Sequence, residues 1–205
     1  GLGDVYKRQV LAGSVVAFDF NHHLYTPLIC MKQNGLKIQV SPISLNDDEK
    51  LFVDLLRKYL DAHTELLDGN TIYLLRNKSK VGMGFFEAGN FYPDYVLWVD
   101  TQDIQYVSFI DPKGLTRVRS DDPKVEFYKK IKELEARLQP TAPDKRIVLN
   151  SFIMSGTKSA DLRQWWNMSK LEREAKNVLC LDNDDCIDVM FRKIIGSVAK
   201  RAAAE

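Results

Sequence analysis

Between Gly84 and Leu115 the chain reads GFFEAGNFYPDYVLWVDTQDIQYVSFIDPKGL. Asp94, behind Pro93, stands at the start of one β-prone run, and Asp111 and Lys113 close the next, two residues apart. In extended chain, residues i and i+2 point to the same face, so Asp111 and Lys113 project together. If the two runs pair as a hairpin-like unit, Asp94 and Asp111 meet at one end of the sheet. Two carboxylates brought together repel unless a cation neutralises them. Mg2+, which favours oxygen ligands and retains several waters, suits that role. A lysine beside such an ion orients or activates water and stabilises charge developing on phosphorus, which is the chemistry of phosphodiester hydrolysis.

The bare pattern carries little weight. The chain holds two Pro-Asp pairs, at Asp94 and Asp144, and four acidic-x-Lys triplets, starting at Asp48, Asp111, Asp122 and Glu174. Context separates them. Asp122 and Glu174 fall in helix-start or helix-interior settings and Asp144 in a Pro-rich loop. Asp94 with Asp111-Pro112-Lys113 alone puts the charges at strand ends one hairpin apart. Taken singly, Asp94 is a turn residue and Asp111 a strand-ending one. Glu87 reads as a loop residue.

The elements that must position these residues follow from periodicity. Asp47 to Leu60 has helical spacing, with Phe52, Leu56, Tyr59 and Leu60 on one side. Asn46 is its expected N-cap, and Asp47, Asp48 and Glu49 suit its first turn. Glu49 is placed to close a capping box with Asn46, and it shares a face with Phe52 and Leu56. Strands are expected at Thr71 to Arg76, Tyr92 to Val99 and Gln105 to Asp111. Pro123, behind Asp122, is the expected first position of a helix reaching Leu138, with Phe127, Ile131, Leu134 and Leu138 on its core stripe and Lys129, Lys130 and Lys132 on its wet side. Pro140 and Pro143 stop it. Arg146 to Met154 reads as a buried strand, and helical segments are expected at Ala160 to Asn177 and Cys186 to Arg201. From residue 46 the order helix, three strands, helix, strand predicts a three-layer α/β/α domain with a mixed sheet. Ahead of it, Val10 to Phe20, Leu24 to Lys32 and Leu36 to Ser41 are β-like, the last two flanking Asn34-Gly35, a strong hairpin signal.

Composition bounds the function classes. The 205 residues are 45% hydrophobic, enough to bury a core. Twenty-nine basic against 28 acidic residues exclude a nucleic-acid sponge but leave room for a local basic groove. Three cysteines without CxxC spacing argue against a disulfide scaffold or structural zinc. No apolar run approaches the ~18 residues of a membrane span, and the chain reads as soluble and cytoplasmic. No GxxxxGK[ST] loop is present, so a nucleotide-driven motor would have to lie upstream. Residues 1–9 lead into no periodic segment and read as adaptor read-through. Residues 10–45 then form an N-terminal β extension, and 46–205 one domain with C-terminal helices.

The stretches NDDEKLFVDLL, YLLRN, GFFEAGNFYPDYVLWV, FIDPKG and LNSFIMS, across residues 43 to 155, resemble the nuclease domain of the PD-(D/E)XK superfamily. The likeness is greatest to the C-terminal domain of type III restriction-type helicase subunits. The resemblance implies a restriction-endonuclease-like core and a helix acid, at Glu49, that joins Asp94 and Asp111 around Mg2+, with Lys113 as the remaining signature position. It implies double-stranded DNA as substrate, Mn2+ as a substitute ion, and helicase domains and a methyltransferase subunit as partners. Asp111 stands where many relatives carry Glu.

The other candidates are weaker. Arg76, Arg117 and Arg119 are possible phosphate contacts, and Lys113 to Arg146 carries ten basic and six acidic residues. Trp165 and Trp166 suit base stacking or packing, packing being the commoner use. Asp182 to Asp185 lacks a calcium-loop register and reads as a helix-capping turn. His22, His23 and His63 have no metal-ligand spacing. The reading from a different class is a non-catalytic DNA-positioning or partner-docking domain on the same fold.

Overall fold

Asn46 caps α1 (Asp47–Ala62), the first helix among the described residues. Its side chain accepts the Glu49 N–H (2.9 Å), and the Glu49 carboxylate accepts the Asn46 N–H (3.0 Å), so the expected capping box forms. Phe52, Val53 and Leu56 on the inner face of α1 are fully buried. In the computed structural model the described residues are 15–18, 23–24, 28–31, 44–67, 69–77, 82–85, 91–138 and 145–202. Residues 1–9, the Asn34-Gly35 turn, Leu36 to Ser41, Glu87, Pro140, Pro143 and Asp144 lie outside them.

The N-terminal segment contributes β1 (Val15–Phe18), β2 (His23–Leu24) and β3 (Leu28–Met31), and β1 pairs antiparallel with β3. After α1 come β4 (Thr71–Arg76), β5 (Tyr95–Asp100) and β6 (Ile104–Lys113). The chain then forms α2 (Phe127–Leu138), β7 (Arg146–Ser155), α3 (Ser159–Trp166), α4 (Lys170–Ala175), β8 (Val178–Cys180) and α5 (Cys186–Ala202). The main sheet runs β2-β4-β5-β6-β7-β8. β4, β5 and β6 are antiparallel neighbours, whereas β6, β7 and β8 are parallel, so the α/β class and mixed sheet are as expected.

Alternation along β5 divides the core. Tyr95, Leu97 and Val99 join Phe52, Val53 and Leu56 of α1 and Met190, Phe191 and Ile194 of α5 in one cluster. Val96 instead packs with Val107, Phe109, Leu149 and the α2 residues Phe127 and Ile131. A third cluster, around Leu115, Val125, Ile153 and Leu162, fills the end where α3 sits.

Four expectations are corrected. β6 does not end at Asp111 but continues through Pro112 to Lys113, because Pro112 lies past the last β5–β6 pair, Tyr95 with Ile110, while β7 still pairs alongside. Pro123 does not open α2: Asp122 Oδ1 accepts the Lys124 N–H (2.9 Å) and residues 123–126 form turns. That bend lets Val125 and Phe127 enter different clusters. Ala160 to Asn177 is two helices, since Asn167 adopts a left-handed φ of 49° and Ser169 caps a new helix with its own capping box. The short β8 that follows has only three residues, too few to leave a periodic signal. Finally, Lys132 does not simply face water: its side chain is 40% exposed, yet its Nζ donates to Glu135 (2.8 Å), to the Leu149 carbonyl (2.5 Å) and to Asn150 Oδ1 (3.2 Å), tying α2 to β7.

Candidate active site

The antiparallel ladder ends with Tyr95 opposite Ile110, and the next residue on each side is Asp94 and Asp111. Their side chains are hydrogen-bonded to each other. Such a bond between two carboxyls requires a proton shared by the pair: burial first, then the charge of Asp111, push the Asp94 pKa up to about 8. Glu49 pushes in the same direction, and Lys113 opposes. Asp111 is 6% exposed. Lys113 Nζ meets Asp111 Oδ2 at 2.5 Å and lies 5.8 Å from the centre of the Phe91 ring. The i, i+2 spacing thus does what extended geometry demands, bringing Asp111 and Lys113 out on one face.

The corner that carries Asp94 is pinned by Asn77. Its N–H donates to the Asp94 carbonyl (2.7 Å), and its Nδ2 donates to the carbonyls of Pro93 (2.8 Å) and Met83 (2.7 Å). Sequence reasoning gave Asn77 no role of its own; an Asn ending one strand beside a Pro-Asp corner was the available signal.

Glu49 is turned inward, as its helical face predicts, but its charge is already matched. The oxygen that closes the capping box, Oε2, also accepts from Arg76 Nη2 at 3.3 Å. Arg76 pairs with Tyr95 in the sheet register, which puts it on the α1 side. It is therefore a partner of Glu49 rather than an open phosphate contact. Tyr95 lies beneath this ion pair; its hydroxyl is buried without a hydrogen-bond partner, and burial, then Glu49, holds its pKa far above the ordinary range.

Asp48, beside Glu49 in the first turn of α1, does more than suit the helix start. Its carboxylate accepts the N–H of Gly114, one residue past Lys113. It also fills the space where a side chain at Gly156 would stand: a Cβ there would lie 1.8 Å from Asp48 Oδ1. The first turn of α1 is thereby tied to the ends of β6 and β7. Burial raises the Asp48 pKa, with Asp47 adding to it.

Arg119 is held bidentately by Asp121 (2.9 and 2.8 Å) on the surface, and Arg117 is exposed on the same loop. Asp182 caps α3, accepting the Ser159 N–H at 3.0 Å. Cys180 and Cys186 are free and buried.

The structure therefore brings Asp94, Asp111 and Lys113 together and keeps Glu49 next to them under the hold of Arg76. Among the described residues no group of three or more His, Cys, Asp or Glu side chains is arranged to hold a metal ion. The carboxylate pair nevertheless fits a divalent cation. It is buried and accepts only hard oxygen chemistry, and a proton now occupies the place where a cation would relieve its repulsion. No helix among the described residues is long and apolar enough to cross a membrane. Compared with protein-family models, curated proteins and solved structures, the chain matches none.

Proposed function

We propose that the chain is a Mg2+-dependent nuclease domain that hydrolyses DNA phosphodiesters, as its likeness to the PD-(D/E)XK superfamily implies. The observation that carries this reading is the convergence of Asp94 and Asp111 with Lys113 bonded to Asp111. A docking or positioning role needs no buried pair of carboxyls that must take up a proton to coexist, and burying such groups is costly.

Asp94 and Asp111 would hold Mg2+, with Glu49 adjacent on α1. When bound, the ion supplies Lewis-acid stabilisation of phosphoryl charge and lowers the pKa of water. The protein's own groups do the rest. Asp94 must first release its proton, which the raised pKa resists until a cation replaces it. The Lys113 ammonium would hold the attacking water and offset negative charge on a phosphoryl oxygen. Arg76 holds Glu49 in place, and Phe91 and the buried ring of Tyr95 make the surroundings apolar enough to strengthen each of these interactions. The same reading has Mn2+ as a substitute, a cytoplasmic setting, a three-layer nuclease core, and helicase domains with a methyltransferase subunit as partners.

One observation favours the non-catalytic alternative: Glu49 is already committed to Arg76 and to its own helix cap. Plasmid nicking with Mg2+ or Mn2+ decides between the two. The wild type is expected to cut, and Asp111→Ala to lose at least the ~10²–10⁴-fold typical of a positioned catalytic group. Full metal-dependent activity in Asp111→Ala would remove Asp111 from the site, and wild type that cuts nothing would favour the positioning role.

A further inference from the structure

The two adjacent tryptophans at the end of α3 do different things. Trp166 packs against the cluster of Leu115, Val125 and Leu162, and its Nε1–H donates to the Val118 carbonyl at 2.9 Å. Trp165 is 49% exposed. Together with residues 116–121 it lines an open depression whose other walls are Arg117, Arg119, Ser120 and Asp121. Arg119 is occupied by Asp121, whereas Arg117 is exposed and has no ion-pair partner among the described residues.

This loop is the direct continuation of the strand that carries Asp111 and Lys113. It is held at its start by the Leu115 N–H, which donates to Thr157 Oγ1 (2.8 Å), and in its middle by Trp166. Arg117 lies four residues past Lys113, so their Cα atoms are at most ~14 Å apart. The clamped loop thus presents an unpaired guanidinium within a few nucleotides' reach of the carboxylate pair, and the end of α3 presents an exposed indole in the same depression.

We propose that the depression is a nucleobase-stacking site, in which Trp165 stacks on an unpaired DNA base and Arg117 takes the neighbouring phosphate. The choice of nucleic acid as ligand rests on the nuclease reading; the choice of an unpaired base comes from the indole. Every base has a π face, but only a single strand, gap or frayed end offers it, because a duplex covers both sides of each base. A protein-docking anchor would sit within an apolar surround, whereas this indole shares its depression with Thr116, Ser120, Asp121 and the Arg117 cation beside Val118 and Trp166. The pairing of an aromatic surface with a positive groove is the general arrangement for single-stranded binding.

The test is fluorescence anisotropy with a labelled single-stranded oligonucleotide, the same strand bearing abasic sites, and a blunt duplex, all in EDTA so that nothing is cut. Trp165→Ala should weaken single-strand binding about 5- to 150-fold, the worth of one stacked base, and Trp165→Phe should restore part of it. The wild type should bind the abasic strand as weakly as Trp165→Ala binds the normal one. Arg117→Ala should reduce affinity for every ligand and flatten the salt dependence by about one phosphate. Unchanged single-strand affinity in a folded Trp165→Ala overturns the proposal and hands the patch to a protein partner. An equal loss on blunt duplex also overturns it, since the contact would then not be with a base face. Tight, Trp165-dependent binding without any cleavage by the wild type would leave this site standing and remove the nuclease reading alone.

Discussion

Asp94 is the residue whose ionisation reports on the whole site. Its carboxyl keeps a proton in the folded protein up to about pH 8, whereas in the unfolded chain it ionises near its ordinary value of 3.8. Between those limits the native state binds more protons than the unfolded state, so this group's contribution to stability is lost as pH rises. Asp94→Asn, which mimics the protonated form, should therefore melt close to wild type near pH 4 and increasingly above it towards pH 8 in metal-free buffer. A constant difference across that range would show that Asp94 and Asp111 do not share a proton. At this scale the sequence was informative about residue types and less so about partners. The i, i+2 rule placed Lys113 with Asp111, and the helical face placed Glu49 inward. That Arg76 would meet Glu49 could not be read, because it depends on β4 lying beside β5 with Arg76 opposite Tyr95.

Among the elements, α1 matters most, because it must hold Glu49 beside two strands remote in sequence. The Asp48 carboxylate does this by resting on Gly114 and in the space left by Gly156. Gly156→Ala would put a methyl group 1.8 Å from Asp48 Oδ1 and force that carboxylate off the Gly114 N–H. A destabilisation of about 1–3 kcal/mol is expected in urea unfolding, from the lost charge-assisted bond and local crowding. Combining it with Asp48→Ala should cost less than the sum of the two single changes, because both remove the same contact. Strict additivity would mean that Asp48 does not clamp the helix. Elements with long periodic signals were legible, as with α1, β4 and β7. The break inside Ala160 to Asn177 was not, since it turns on a single Asn with positive φ, and β8 is defined by pairing with β7 rather than by its own three residues.

For the molecule as a whole, a mixed sheet carries the candidate site where β5 and β6 part company. The alternation of β5 between two clusters sets α1 and α5 in one and α2 in the other. The fold class was legible from the order of elements, but strand order was not, because β8 enters the sheet beyond β7 and β2 pairs with β4 across a long stretch of chain. The central claim is that Asp94 and Asp111 form a divalent-cation centre, and thermal melting with Mn2+ tests it most directly. At 100-fold excess over its dissociation constant, a ligand specific for the folded state adds about 2.7 kcal/mol, or about 5–10 °C in a protein of this size. The wild type should show that rise, larger at pH 8 than at pH 6 because the Asp94 proton must leave, and Asp111→Asn should not. No rise in the wild type, or the same rise in both proteins, would contradict the account.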